Sequence, residues 1–481
     1  MTQTSLTSRA ARGAAWSGVS NITLRLGGLV VGIILARILA PEQFGVYAVA
    51  LTVQGILMTV ADLGLSAEVI RSDDPDRVAP TVASIGLISG AVLAVMTLVS
   101  STMLAELLGS RDAAPAIAVL SITLLLGGAT VVPYAFLLRR FQQRELFYVG
   151  AADFVVSTTV TLTLVGLGFG VLGLAIGRVT AQAVSTVMLF LLARVRPRFA
   201  IDRTILAPVL AFSLPIAAAN LLSWILLNVD NIVLARVAGA VALGYYVLAF
   251  NISNWPMSAL SQVVRSIAMP YFSRRGDGLA EVTALAWACA LPAGAVLASL
   301  ASPLIEFVYG TKWLPAAPVL AALGVYGSLR VVFDIFAGYL YSRGQSRPVL
   351  WIQVLWLIVL VVGMVLATRA YGIVGAGWVH VLVAVAVILP AYLLVIRRAG
   401  VRVTAMLRAA WWPTLATAPA ATVAVISRIL IDSPPLAVLV GGLAALVVYG
   451  LLAGPWLVRQ YRRLRAGADP VQVDATPMGD E

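Results

Sequence analysis

The stretch IILARILAPEQFGVYAVA, Ile33–Ala50, returns in altered form as IVLARVAGAVALGYYVLA at Ile232–Ala249. Sliding the chain by 199 residues aligns Asn21–Ala50 with Asn220–Ala249 without a gap, and nine of the 30 positions are identical. They include Leu35/Leu234, Ala36/Ala235, Arg37/Arg236, Gly45/Gly244 and Tyr47/Tyr246. Apolar composition alone gives roughly three or four identities, so the phrase reads as an internal repeat. A second match falls at an offset of 202, where GVLGLAIGR at Gly170–Arg178 parallels GIVGAGWVH at Gly372–His380.

The medium that these repeats occupy follows from composition. Of 481 residues 61% are hydrophobic and only 11% charged, against roughly 25% charged in soluble domains. Apolar runs of about 20 residues recur, the length that crosses roughly 30 Å of hydrocarbon as a helix. The sequence therefore predicts an all-α integral membrane protein with 14 transmembrane helices. They are expected at 14–37, 43–63, 79–105, 113–138, 148–168, 171–193, 205–235, 241–270, 282–307, 314–341, 349–368, 373–396, 409–429 and 436–458. The lone Cys289 excludes an internal disulfide, and the lone His380 a multi-histidine metal site.

A net charge of +12 invites a nucleic-acid partner, but its distribution argues otherwise. Of 33 basic residues, 23 fall on the N-terminus, on every second loop and on the tail. Six fall on the opposite loops: Arg37, Arg111, Arg236, Lys312, Arg369 and Arg428. That bias is the positive-inside signature, and it puts both termini in the cytoplasm. No nucleic acid is needed to explain the charge. No cleavable signal peptide is expected, since Arg25 interrupts the first apolar run. The last segment, AGADPVQVDATPMGDE, is expected to be a disordered cytoplasmic tail.

The two repeats divide the chain into two parallel six-helix lobes, 1–200 and 201–400, followed by helices 13 and 14 at 401–460 and the tail at 461–481. Parallel lobes related by an axis along the membrane normal suit a transporter that rocks about a central cavity. On this plan the repeated phrase is the first outer hairpin of each lobe. Its glycine allows close packing, and its arginine can reach the headgroups.

Four arginines, Arg25, Arg178, Arg265 and Arg330, lie within spans, where charge usually faces a cavity or a partner. Ser17, Asn21 and Arg25 share one helical face, continued near Gly28 and Gly32. That pattern suits cavity lining; the alternatives are a buried ion pair for Arg25 and close helix packing for the two glycines. In the eighth span Asn251, Asn254, Ser258, Gln262 and Arg265 form one polar stripe over four turns, with Pro256 inside it. Arg330 and Asp334 are placed to pair at i, i+4. Gln182 and Ser185 lie below Arg178 on its face, while Asp62, Glu68 and Asp153 either balance Arg25 or Arg265 or sit at the membrane interface. Asn220 repeats Asn21, and Asp230 is a further cavity candidate. The cationic bias of these deep charges suits an anion, and guanidinium forks suit phosphate or diphosphate.

With LARILAPEQFGVYAVA, then ADLGLSAEVIR at Ala61–Arg71 and GVLGLAIG before the sixth span, the chain resembles a polysaccharide-export flippase. The family belongs to the multidrug/oligosaccharidyl-lipid/polysaccharide superfamily and shows a similar L-A-R-x-L-x-P-x-x-F-G-x-Y followed by D-L-G. The resemblance covers about residues 5–460 and implies a carrier in the bacterial cytoplasmic membrane. Such a carrier moves polyprenyl-diphosphate-linked oligosaccharide to the outer leaflet by alternating access, beside membrane lipids and with a glycan polymerase and glycosyltransferases of the same pathway. It also implies that Arg25, Arg265 and Arg330 engage the diphosphate. Ser17, Asn21, Asn220, Asn251, Asn254, Ser258, Gln262, Arg178 and Asp334 would then line the cavity. No cofactor, metal or catalytic residue is expected. A membrane glycosyltransferase would need a large outer loop with catalytic groups, and every outer loop here is short. The nearer alternative is a cation-coupled drug or small-solute antiporter of the same superfamily, which would need a decisive buried acid.

Overall fold

A computed structural model describes residues 23–196, 198–274 and 278–466, apart from the side chains of 226, 263–271, 273–274, 461 and 463–466. All regular structure among the described residues is helical. In hydrocarbon that is the arrangement in which each segment satisfies its own backbone. The first helix, α1, covers residues 23–38. It is followed by α2 (Pro41–Asp62), α3 (Leu65–Arg71), α4 (Pro75–Leu107), α5 (Ala114–Arg139), α6 (Gln143–Gly166) and α7 (Gly170–Ala193).

The run Arg203–Arg274 is interrupted at Gly239, whose φ of 82° lies in the left-handed region, giving α8 (203–238) and α9 (240–274). Next come α10 (Leu279–Ser299), α11 (Ala301–Tyr309) and α12 (Ala317–Ser342). A second glycine, Gly372 at φ 58°, divides α13 (346–371) from α14 (373–398). Both breaks fall between predicted spans, where a residue without Cβ turns the chain at little steric cost. The last helices are α15 (Val403–Leu430) and α16 (Pro434–Ala466).

Among the described residues twelve helical segments are long and apolar enough to cross a membrane. One of them, Ser346–Arg398, is 53 residues long and contains the Gly372 break. The short α3 lies beyond the second expected span, 43–63, and the ninth, 282–307, is divided at Leu300 into α10 and α11.

The chain forms two compact units. One holds the chain up to Leu248 with Val308–Trp313 and Val361–Ala376; the other holds Ala249–Phe307, Leu314–Leu360 and the chain from Gly377 onward. In the first, α5 packs against α2, α4 and α7, and α6 packs against α7. Leu65, Val69 and Val82 meet Ala135 and Val209 in its core. In the second, α10 packs on α12 and α15, and α15 on α16. Ala416, Ala420 and Ala424 meet Ala445 and Ala453 there, since small residues let helices approach without a hydrophobic drive from lipid. Tyr449 in this core donates its hydroxyl proton to the Ala288 carbonyl at 2.6 Å.

Candidate functional site

A cavity of about 830 Å³ lies wholly in the first unit. Its walls are α1, α2, α5, α6 and α7, and along α6 it runs from Gln143 to Thr161. At 1.5 Å per residue that is about 27 Å, close to the thickness of a bilayer core. Gly28 and Gly32 of α1 line it, and a Cβ on either would meet nothing within 4 Å. Of the two sequence readings, these glycines follow cavity lining and not close packing.

The charges of the cavity come from α6 and α7. Arg178 Nη1 donates to Asp153 Oδ2 at 3.1 Å, and Ser185 Oγ donates to Asp153 Oδ1 at 3.0 Å. Asp153 was expected either to balance Arg25 or Arg265 or to sit at the interface; the structure pairs it with Arg178. The 7-residue step from Arg178 to Ser185 spans about two turns, so both reach one carboxylate from a single face. Gln182 lies between them and also lines the cavity. The pair stays open, with 39% of the Arg178 side chain exposed, so the guanidinium can still meet a ligand.

The repeated phrase forms a second constellation in the same unit. Pro41 starts α2, where its missing N–H is not needed, and the Ala40 N–H donates to Gln43 Oε1 at 3.0 Å. Gly45 and Gly244 then meet back to back. A Cβ on Gly45 would collide with the Ala240 carbonyl, and one on Gly244 with the Pro41 carbonyl. Pro41 and Ala240 are themselves repeat partners, so the contact is reciprocal.

The two repeat arginines act alike as well. Arg37 Nε donates to the Val308 carbonyl at 2.8 Å, at the end of α11. Arg236 Nη1 donates to the Glu106 carbonyl at 3.2 Å, at the end of α4. Each supplies a cation and a donor where helix carbonyls lack partners. The end of α1 is held in return. Lys312 Nζ donates to the Arg37 and Leu39 carbonyls at 2.9 and 2.8 Å, and Trp313, fully buried, donates Nε1–H to Ala36. Headgroup contact was the expectation for Arg37; a helix end takes its Nε–H instead.

The remaining predicted residues scatter. Ser17 and Asn21 lie outside the described residues, as does the side chain of Arg265. Arg25 is exposed on α1 beside Leu24, which lines the cavity, and Asn220 is exposed on α8. In the second unit Asn251 and Gln262 are exposed on α9, with Asn254 and Ser258 half-buried. Ser258 Oγ donates to the Trp255 carbonyl at 3.1 Å.

Arg330 does not pair with Asp334 among the described residues; Nη1 donates to Asn254 Oδ1 at 3.5 Å. The i, i+4 spacing makes the two neighbours on α12 but does not fix their rotamers. Asp334 is half-buried. Asp230 is buried, does not line this cavity, and accepts from the Tyr246 hydroxyl at 2.8 Å. Glu68 pairs with Arg71 at 2.9 Å, and Asp62 accepts from Ser66 at 3.5 Å. His380 is buried edge-on to Tyr326, as a packing histidine would be.

Residues 34–318 match the family described as polysaccharide biosynthesis protein. The chain is 26% identical over 358 residues to the lipopolysaccharide biosynthesis protein WzxC of Escherichia coli, covering 71% of each chain. It is 28% identical over 362 residues to the succinoglycan biosynthesis transport protein ExoT of Rhizobium meliloti, covering 73% of each. Among solved structures, the lipid II flippase MurJ in an inward closed conformation aligns with a TM-score of 0.75. That match has 13% identity over 94% of this chain and 100% of that one, a likeness of fold.

Proposed function

The chain belongs to the polysaccharide biosynthesis protein family, and from that premise we propose that it flips polyprenyl-diphosphate-linked oligosaccharide from the cytoplasmic to the outer leaflet of a bacterial cytoplasmic membrane. Together with family membership, the cavity of the first unit carries the reading. It is a chamber about as tall as a bilayer core, lined by Arg178, Gln182 and Ser185. The reciprocal hairpin contacts at Gly45 and Gly244 support closure at the end that the charge bias puts outside.

In this reading the chain crosses fourteen times. The Ser346–Arg398 segment counts twice across Gly372, and α1 adds a crossing to the twelve apolar segments. Both termini are cytoplasmic. The repeat halves 1–200 and 201–400 alternate in access, 401–460 supplies two further helices, and 461–481 is a tail. Arg25, Arg265 and Arg330 receive the diphosphate. Ser17, Asn21, Asn220, Asn251, Asn254, Ser258, Gln262, Arg178 and Asp334 line the path of the sugars, while the prenyl tail stays in lipid. A glycan polymerase and glycosyltransferases act before and after the flip.

The antiporter alternative is not favoured. The relatives are named for polysaccharide biosynthesis and transport, and the cavity acid, Asp153, is already committed to Arg178 and Ser185. The test is export of lipid-linked glycan in cells that carry Arg25→Ala or Arg265→Ala at wild-type protein levels. A loss of tenfold or more is expected in each; undiminished export in both removes the diphosphate assignment.

A further inference from the structure

A second cavity, about 430 Å³, lies at the opposite end of the first unit from the hairpins, between α4, α5, α7 and the strap that follows α7. Its size lies within the usual range of small-molecule pockets, roughly 300–1,000 Å³. Four arginines line it, Arg140, Arg194, Arg196 and Arg198, against one carboxylate, Asp76. No carboxylate lies within ion-pair distance of any of the four among the described residues.

The pocket is built before a ligand arrives. Arg140 Nη1 donates to the Ala193 carbonyl at 2.8 Å, and its guanidinium stands 5.0 Å from the Phe136 ring centroid. A guanidinium resting on an aromatic ring keeps edge donors for an anion. Arg194, Arg196 and Arg198 lie beyond the last helical residue of α7, and all three line the cavity together with Val195 and Phe199. The strap is fixed to α4: Ser84 Oγ donates to the Ala200 carbonyl at 3.2 Å, and the Asp202 N–H to Thr81 Oγ1 at 3.1 Å. The opposite wall is apolar, with Ala83, Val132 and Phe190.

We propose that this pocket binds a lipid headgroup bearing two phosphate groups. Four guanidiniums and one carboxylate leave three positive charges, more than one phosphodiester neutralises. Arginine forks grip phosphate oxygens in pairs, and the apolar wall suits the first atoms of a chain. Basic pockets between membrane helices take such headgroups in general. The chemistry has two sources, a diphosphatidyl phospholipid or a prenyl diphosphate. The site is separate from the transport cavity, and its occupancy is measured without transport.

The experiment uses delipidated full-length protein in detergent, titrated by native mass spectrometry. The probes are diphosphatidylglycerol, prenyl diphosphate, phosphatidylglycerol and inorganic diphosphate. The wild type is expected to bind at least one two-phosphate lipid about tenfold more tightly than phosphatidylglycerol or inorganic diphosphate. Whichever two-phosphate lipid binds more tightly identifies the source. Arg194→Gln/Arg196→Gln/Arg198→Gln is expected to lose that preference, while Arg397→Gln/Arg398→Gln in the second unit keeps it. Unchanged binding by the triple variant, or equal binding of phosphatidylglycerol or inorganic diphosphate, overturns the proposal. Single Arg196→Gln and Arg198→Gln variants give the same reading if the triple variant is poorly recovered.

Discussion

Arginine serves opposite purposes at the two ends of the first unit. At the hairpin end Arg37 and Arg236 each spend a donor on a helix-end carbonyl, and Lys312 is drawn into the same network. At the strap end Arg194, Arg196 and Arg198 line a cavity whose one lining carboxylate, Asp76, is within ion-pair distance of none of them among the described residues. The first set completes backbone hydrogen bonding and so belongs to the fold. The second leaves charge uncompensated and so calls for an anion. Equal residue type and equal exposure conceal the difference; only the partners reveal it.

The sharpest way to break the comparison is to wedge the hairpin contact. Gly45→Val is expected to destabilise the protein by about 3 kcal/mol or more, because the new side chain meets backbone that cannot rotate away. Gly28→Ala, in open space on α1, is expected to be neutral or stabilising by roughly 0.5–1 kcal/mol. Detergent unfolding of the two variants side by side measures this, and equal melting would show that the two glycines do not differ.

A smaller effect is expected from Arg37→Ala, about 1–2 kcal/mol for a charged hydrogen bond at a partly open site. Leu39, 2% exposed in the wild type, provides the readout. With Cys289 replaced, a cysteine at position 39 should react several-fold faster with an impermeant maleimide once Arg37 is gone. Neutralising Arg196 should leave that rate unchanged, and an equal rise would erase the distinction between the ends.

The mildest expectation concerns acid. Asp202, where the strap enters α8, is held below the usual carboxylate range, first by the Thr204 hydroxyl and backbone N–H and then by Arg77. A depressed folded value stabilises above the unfolded one and is lost as pH falls through the folded value. Amide exchange in the strap, corrected for the intrinsic pH dependence, should therefore stay flat from pH 8 to 5 and quicken only in stronger acid. Asp202→Asn should remove that acid step.

Much of this was legible in the sequence. Hydropathy placed the helices, and the 199-residue offset located both hairpins and the glycines that touch. The face shared by Arg178, Gln182 and Ser185 follows from helical spacing alone. Partners across the fold were not legible. Arg37 and Val308 are 271 residues apart, and no local pattern encodes such a contact. Asp153 meets Arg178 only because α6 and α7 return on each other, and Arg330 turns to Asn254 on another helix, which its neighbour on α12 could not foretell. The strap arginines read as one more basic loop until their shared cavity was seen.

The back-to-back glycines carry a further consequence. Pro41 and Gly45 stand to Ala240 and Gly244 as one subunit stands to its twin in a symmetric dimer, each surface pressed on its own likeness. Here a single polypeptide carries both copies, so the copies can diverge. Pro41 already has an alanine, Ala240, as its counterpart where strict symmetry would demand a second proline. An isologous seam inside one chain can therefore be tuned one side at a time, a freedom that a true homodimer lacks.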